Sequence, residues 1–115
     1  MKGIENLDHV VSKLLNRMGV PKQAEADMLQ TAIVTVHEKP DLLCRTIDTL
    51  YMVIAEQYKK TKYEVEQELE EILLETLMTG NHEVQQMVLH TLHYRQPTLR
   101  EFIEMSLKYI HLNTI

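Results

Sequence analysis

Lysine and glutamate side chains are concentrated in the middle of the chain, and their types and spacing indicate two different kinds of contact. Three lysines come first, Lys59, Lys60 and Lys62, and could contact nucleic-acid phosphates as positioning contacts that carry no sequence information. Glutamates then follow at helical spacing: Glu64, Glu66, Glu68, Glu70, Glu71 and Glu75. A carboxylate can accept a hydrogen bond from cytosine N4, but it repels a phosphate backbone. The lysines are therefore either phosphate contacts or, as we favour, solvated residues that balance the nearby glutamates.

The acidity of the chain is confined to this one segment. The formal net charge is −5, and residues 62–79, with one Lys and six Glu, carry all of it. A generally basic nucleic-acid binder is disfavoured by this balance. The acidic segment is either a solvated surface that needs no partner or an interaction surface that meets a basic protein patch.

The remaining polar residues give no pattern of a catalytic or metal site. The sequence contains no Ser/His/Asp set, no paired-carboxylate cleft and no Gly-rich phosphate loop, so we expect neither an enzyme nor a bound cofactor or small-molecule substrate. His90 and His93 lie three residues apart, a spacing that metal sites use, and His82 comes a little earlier. They have no evident third ligand or second shell, so we interpret them as surface histidines and expect no metal.

Length and composition indicate one cytoplasmic domain. The 115 residues are 44% hydrophobic and 25% charged, which suits a single domain over residues 1–115. The single Cys44 cannot form an internal disulfide, which favours a reducing compartment, and its place beside Leu42 and Leu43 predicts a buried thiol. The sequence has neither an apolar run of membrane-spanning length nor an N-terminal signal pattern, so we expect no membrane contact.

The charged residues lie on a predicted helix-turn-helix over about residues 50–79. Its first helix buries Leu50, Tyr51, Ile54 and Ala55, and a polar turn follows at residues 59–61. Thr61 and Glu64 form the T-x-x-E pattern of a capping box, which marks a helix start. The second helix, residues 62–79, is predicted to bury Val65, Leu69, Ile72, Leu73 and Leu77, and to expose Glu64, Gln67, Glu68, Glu71 and Glu75. A second helix of this kind is the one that enters the DNA major groove.

Further helices are predicted on both sides of this motif. The first has its apolar face at Ile4, Leu7, Val10, Val11, Leu14, Leu15 and Met18, and Gly19 ends it. Pro21 fits the first turn of a second helix to about residue 38, with Ala24 among its buried residues. Asp41 can cap a third helix, which either stops near Thr49 or runs straight on through residue 50.

The C-terminal third predicts two more helices. Gly80–Asn81 ends the acidic helix in a C-cap, and a helix over about residues 82–94 turns Val84, Met87, Val88 and Leu92 inward. Thr98 with Glu101 is a second capping box, which starts the last helix. The fold class is therefore all-α, a compact bundle of five to six helices.

The chain resembles a known family nearly end to end. Residues 18–21 match the family's I-G-V-P, and Leu42–Leu43, preceded here by Asp41, match its E-L-L. Residues 50–61 follow its L-Y-P-x-I-A-K-K-Y-x-T-T, residues 65–66 and 80–81 its V-E and G-N, and residues 97–105 its P-T-x-x-E-F-I-x-M. In order and spacing these motifs are similar to the C-terminal effector domain of the master sporulation response regulator of endospore-forming Firmicutes.

The resemblance implies an all-helical domain whose helix-turn-helix reads a short DNA box, often as a tandem dimer. It also implies a receiver domain ahead of the effector in the full family protein, and we expect none in this chain. The family's reading helix, T-A-S-R-V-E-R-A-I-R-H-A, is basic, whereas this chain has Glu64, Gln67, Glu70 and Glu71 at the matching positions. Met52 stands where the family has the Pro of L-Y-P.

Three functions are consistent with these observations. The leading one is a non-enzymatic regulator in transcription or sporulation control that acts through protein contacts, with a related regulator or with a second copy of itself. The alternative is a helix-turn-helix transcription factor that binds DNA directly through Lys59, Lys60, Lys62 and the 62–79 helix. The third is a structural homo-oligomer that associates through an apolar stripe left uncovered by the core.

Overall fold

Helices are the regular elements of the computed structural model, which describes residues 7–44, 46–89 and 96–113. These ranges contain six α-helices and one short 3-10 helix, and they contain no strand. The helices are α1 (Leu7–Met18), α2 (Ala24–Glu38), the 3-10 helix (Pro40–Leu43), α3 (Asp48–Tyr58), α4 (Lys62–Thr79), α5 (His82–Leu89) and α6 (Leu99–Asn113). The predicted all-α fold class is confirmed.

Helix α2 lies at the centre of the bundle. It contacts α1, α3, α4, α6 and the 3-10 helix. Leu29, Ala32 and Ile33 of α2 are completely buried, as are Phe102 and Ile103 of α6. Full burial of each large apolar side chain contributes about 1.5–3 kcal/mol, so this shared core supplies most of the favourable free energy of folding. The Cα radius of gyration, 13.3 Å, is close to the roughly 13 Å of a compact chain of this length.

Helix α1 ends where it was predicted to end, but α2 begins later than predicted. Gly19 has φ +90°, and the Val20 N–H donates to Leu15 O at 3.0 Å, which closes the last turn of α1. Val20 is buried, so the chain must cross the core surface before the next helix can start. Helix α2 therefore begins at Ala24. Pro21 was predicted to lie in its first turn but precedes the helix, and Ala24 was predicted to be buried but is exposed. Ile4 lies outside the described residues.

The predicted third helix is divided into two elements. Asp41 lies in the 3-10 helix, and α3 begins only at Asp48, without a side-chain cap. This short helix buries Leu43 and leaves the next residue outside the core. Cys44 is therefore an exposed free thiol, and the prediction that it is buried is wrong.

The second half of the chain departs from its predicted buried positions on α4 and on α5. Helix α4 buries Val65, Leu69, Ile72 and Leu73 as expected, but Leu77 is only partly buried and Thr76 is buried in its place. The buried Thr76 hydroxyl has a hydrogen-bond partner, because it donates to Ile72 O at 2.7 Å. Met87 of α5 is half exposed rather than inward, and Leu92 lies outside the described residues.

Two glycines bring the ends of α1 and α4 into direct backbone contact. A Cβ on Gly19 would lie 2.5 Å from Gly80 Cα, and a Cβ on Gly80 would lie 2.6 Å from Thr76 O. Gly80 has φ −85°, so glycine is needed there for this close approach rather than for a left-handed C-cap. The Asn81 N–H donates to Met18 O at 2.9 Å across the contact. The C-terminal end of α4 is thereby fixed against α1.

The buried side chain of Gln85 completes this junction. Its Nε2 donates to Met18 O at 2.9 Å and to Thr76 O at 2.8 Å, so one amide satisfies the ends of two helices. Residue 85 is only 6% exposed, and neither carbonyl could readily find water instead. The junction therefore depends on Gly19, Gly80 and Gln85 together.

Substitution Gly80→Ala should destabilise the fold, because the new methyl group meets backbone atoms of α1 and α4. We expect the free energy of unfolding to fall by about 1–3 kcal/mol, as for other overpacked sites. Urea denaturation followed by far-UV circular dichroism measures it. Glu75→Ala, at an exposed position of the same helix, is the control and should change stability by no more than about 0.5 kcal/mol. Equal stability of Gly80→Ala and the wild type would contradict the close packing.

Candidate functional site

The turn between α3 and α4 has the geometry of a helix-turn-helix. Lys59 ends α3 in the left-handed conformation, with φ 57° and ψ 48°, and the Lys60 N–H donates to Ala55 O at 2.9 Å. Thr61 then caps α4. The predicted turn over residues 59–61 is confirmed, although a lysine takes a conformation that usually favours glycine or asparagine.

Both halves of the predicted capping box are present at the start of α4. The Glu64 N–H donates to Thr61 Oγ1 at 3.1 Å, and the Thr61 N–H donates to Glu64 Oε1 at 2.9 Å. The Glu64 carboxylate is therefore already used in holding the first turn of the helix. Glu64, which was predicted as a surface contact residue, therefore also stabilises the N-terminus of α4.

The side chain of Tyr58 fixes the end of α3 against α2. Its hydroxyl donates to Asp27 Oδ2 at 2.6 Å and lies 2.8 Å from Thr31 Oγ1. Burial, with the hydrogen bond to Asp27, raises the pKa of the Tyr58 hydroxyl. Sequence reasoning missed this contact, because its partners lie 31 and 27 residues earlier in the chain and no local pattern connects them.

Two of the three lysines at the turn lie beside carboxylates. Lys60 Nζ is 3.2 Å from Glu68 Oε2, and Lys62 Nζ is 3.6 Å from Asp48 Oδ2. All four side chains are partly exposed, so each pair contributes only about 0–1 kcal/mol to stability. Lys59 is exposed and has no ion pair with any residue that the structure describes.

The outward surface of α4 carries most of the predicted site residues. Glu64, Gln67, Glu70, Glu71 and Glu75 are exposed, whereas Glu68 is partly buried beside Lys60. Gln67 Nε2 donates to Glu71 Oε2 at 3.4 Å, which is a long hydrogen bond. The carboxylates of this surface therefore face solvent with few partners of their own.

Sequence reasoning missed the apolar side chains on the same surface. Tyr63 is 73% exposed, Leu74 41% and Met78 65%, and they lie among the glutamates. Their spacing of eleven and fifteen residues from Tyr63 returns to the same side of an α-helix, so the signal was present in the sequence but was masked by the stronger buried stripe. The exposed surface of α4 is thus acidic and apolar together. We call it the α4 surface: Tyr63, Gln67, Glu70, Glu71, Leu74, Glu75 and Met78.

Tyr51 of α3 lies beneath one side of α4 and is only 2% exposed. Burial raises the pKa of its hydroxyl, and the negative charges of Glu70, Glu66 and Asp48 raise it further. The phenol therefore stays neutral throughout the neutral pH range.

The histidine, cysteine and membrane predictions concern residues away from α4. Across residues 7–44, 46–89 and 96–113, no group of three or more His, Cys, Asp or Glu side chains is arranged to hold a metal ion. His82 Nε2 lies 2.9 Å from Leu77 O; His90 and His93 lie outside the described residues. In the same ranges no helix combines the length and the apolar character needed to cross a membrane.

Substitution Thr61→Ala should remove half of the capping box and lower the free energy of unfolding by about 1 kcal/mol. Urea denaturation measures the loss. Thr61→Ser keeps the hydroxyl oxygen and serves as the matched control, which should retain most of the wild-type stability. If the alanine and serine variants were equally stable, the cap would contribute nothing to α4.

The raised pKa of Tyr51 predicts a loss of stability in alkali. The contribution of a group whose pKa is raised by folding is fully present below its unfolded pKa, about 10 for tyrosine, and is lost as pH rises through the folded pKa. The free energy of unfolding should therefore fall more between pH 8 and about pH 10.5 for the wild type than for Tyr51→Phe. Tyr63→Phe, at an exposed ring, should follow the wild type. Parallel pH profiles of Tyr51→Phe and the wild type would contradict the assignment.

Comparison with known protein families identifies a family that contains a helix-turn-helix of this kind. A family model described as "Sporulation initiation factor Spo0A C terminal" matches residues 11–110, which include the helix-turn-helix. A search of curated proteins gave no match. The resemblance predicted from the sequence is thus confirmed, and the family is one of regulatory DNA-binding domains rather than of enzymes. This chain belongs to the family of the C-terminal domain of the sporulation initiation factor Spo0A.

Proposed function

We propose that this protein acts in sporulation control by binding a basic protein surface through α4, with direct DNA readout weakened or lost. The observation that carries the proposal is the composition of the α4 surface, where exposed carboxylates stand at the positions that face DNA in a helix-turn-helix. Arginine reads guanine with two hydrogen bonds, and lysine or arginine neutralises phosphate; glutamate does neither.

The size of the effect favours loss of DNA readout. Each good bidentate base contact contributes about 1–3 kcal/mol of discrimination, so acidic or neutral residues at several such positions remove most of a specific affinity. The like charge of α4 and the phosphates adds repulsion over roughly a Debye length, about 8–10 Å at physiological salt. Glu70 and Glu71 would lie within that distance of the backbone if α4 entered the groove.

The apolar residues of the α4 surface support a protein partner. Aromatic and methionine side chains are enriched in protein–protein interfaces, and Tyr63 and Met78 are among the most exposed large apolar side chains in the described part of the chain. They lie among carboxylates, so the complementary surface combines basic groups with apolar ones. The basic DNA-binding surface of a related family member has the required charge. An acidic copy of the DNA-reading scaffold would then act as its antagonist.

Self-association through the same surface is less favoured. Two copies of α4 facing each other would bring their glutamates together, and like charges at an interface oppose binding. A homo-oligomer would need a contact that leaves Glu70 and Glu71 in solvent.

Direct DNA binding is the second candidate function, because this is a family of DNA-binding domains and Lys59 is exposed at the turn. Lys60 and Lys62 could join it as phosphate contacts, but they would first have to leave Glu68 and Asp48. Such contacts position a protein on DNA without selecting a sequence.

The double reversal Glu70→Arg with Glu71→Arg separates the two functions. Glu64 is left unchanged because it belongs to the capping box. If α4 is presented as in a DNA reader, the reversal should raise affinity for DNA by tenfold or more, roughly as expected for two new phosphate or base contacts. It should also abolish association with a family member whose reading helix is basic. Fluorescence anisotropy with labelled duplexes at low salt measures the first effect, and isothermal titration calorimetry the second.

A control with the same change in net charge accompanies this experiment. Glu38→Arg with Glu83→Arg places the charges on exposed positions of α2 and α5, and should alter both affinities only slightly. Wild-type binding to DNA with a steep dependence on salt would overturn the proposed function in favour of the second candidate.

A further inference from the structure

A groove of about 400 Å³ runs beside α4, and its charge is negative. It lies between α4, the start of α3 and the start of α6, and Asp48, Glu66 and Glu70 are among its lining residues. Arg100 also lines the groove, but its Nε lies 3.6 Å from Oε2 of Glu104, a residue outside the groove. The positive charge of Arg100 is therefore paired with Glu104 and not with the carboxylates of the groove. Glu66 and Glu70 have no ion pair with any residue in the described ranges, so two carboxylates of the groove remain free to bind a cation.

A hydroxyl with no hydrogen bond to any described residue lies at the same groove. Tyr51 lines the groove, is 2% exposed, and its hydroxyl makes no hydrogen bond to any residue that the structure describes. The hydroxyl is therefore free to form a hydrogen bond with a group that enters the groove. Tyr51 shares the lining of the groove with Glu70, Glu66 and Asp48, and burial together with the negative charges of these carboxylates keeps its hydroxyl neutral. A donor that reaches Tyr51 therefore also reaches an acidic group.

The start of α6 does not oppose a cation here. A helix N-terminus carries a partial positive charge, but at this one the Glu101 carboxylate accepts from the Thr98 N–H at 2.9 Å. The Thr98 hydroxyl accepts from the Glu101 N–H at 3.1 Å, so the capping box is complete. The remaining walls are apolar, with Leu73, Leu74 and Leu99 among them.

These features fit a guanidinium group better than an ammonium group. Arginine presents five donors in one plane, is weakly hydrated, and often binds carboxylates through two parallel hydrogen bonds. Glu66 and Glu70 are four residues apart, so they lie on one side of α4 with a rise of roughly 6 Å between them. A planar fork can bridge these carboxylates and donate to Tyr51 while its methylene groups lie against the leucines. Lysine has three donors at one point and a stronger hydration shell.

We propose that this groove binds an arginine side chain of the basic partner, held by Glu66, Glu70 and the Tyr51 hydroxyl. The inference rests on the proposed function, and it adds the chemical class of the residue that is recognised and the place where it binds. The arginine enters beside α4, while the rest of the partner covers the α4 surface.

Two short peptides test the inference. The probes are the labelled peptide Gly-Ser-Arg-Gly-Arg-Ser-Gly and the same peptide with lysine in place of arginine, each titrated into the full chain and followed by anisotropy and by amide NMR shifts. The arginine peptide should bind about three- to tenfold more tightly, and its largest shifts should fall on the segments that line the groove.

Matched variants locate the site. Glu70→Gln should weaken binding of the arginine peptide about tenfold, because it removes a charge-assisted hydrogen bond, and Tyr51→Phe should weaken it about threefold or more. Glu83→Gln removes the same charge from an exposed position on α5 that neither lines the groove nor belongs to the α4 surface, and Tyr109→Phe removes a hydroxyl from a residue that lines a different pocket. Both controls should change affinity less than about twofold. Glu70→Gln keeps the test valid even if Tyr51→Phe fails to fold.

The outcomes separate the groove from the proposed function. Equal weakening by Glu70→Gln and Glu83→Gln would mean diffuse attraction to the acidic protein as a whole, which overturns the groove and leaves the proposed function standing. Equal affinity for the two peptides would also overturn it. The chain could also fail to bind a basic family member while only the groove variants lose binding of the arginine peptide. That result would support the groove and reject the proposed function.

Discussion

The contact between Gly19 and Gly80 is the constraint on which the position of α4 depends. At this point two backbones approach so closely that neither residue can carry a side chain. The Gln85 amide and the Asn81 N–H then satisfy the Met18 carbonyl that the approach has removed from water. Hydrogen bonds of this kind are modest in net value but costly to leave unmade. The end of α4 is therefore fixed by backbone geometry rather than by side-chain packing alone.

The other end of α4 is fixed by local hydrogen bonds. The Thr61–Glu64 capping box defines its first residue, and the left-handed Lys59 defines the angle at which the chain enters it. The Tyr58 hydroxyl links the end of α3 to α2 through its hydrogen bonds with Asp27 and Thr31. With both ends fixed and one side buried, α4 keeps the place of a DNA-reading helix whatever residues lie on its outer side. This explains how the scaffold of a DNA-binding family can present an acidic and apolar surface without losing its fold.

Groups beside α4 differ in how far they are already satisfied. Lys60 and Lys62 lie near carboxylates, and Glu64 is held in the cap, so these residues contribute first to the structure around the turn. Glu66, Glu70 and the Tyr51 hydroxyl lie on the other side with no hydrogen-bond partner in the described ranges. These groups are therefore available to a binding partner rather than engaged in holding the fold. The arrangement therefore supports recognition at α4.

The sequence by itself determined the features that depend on neighbours within about four residues. Both capping boxes, the left-handed Gly19, the buried stripes of α1 and α4 and the net charge of residues 62–79 follow from local spacing, because helical hydrogen bonds join residues three and four apart. Local signals were insufficient at Pro21, Asp41, Cys44 and Met87, where the path of the chain over the core decides which residues are helical or buried. Only the tertiary structure placed Asp48, Tyr51 and Glu70 in one groove and brought the backbones of Gly19 and Gly80 into contact. These contacts join residues tens of positions apart, and their geometry is set by the packing of whole helices, which no short pattern encodes.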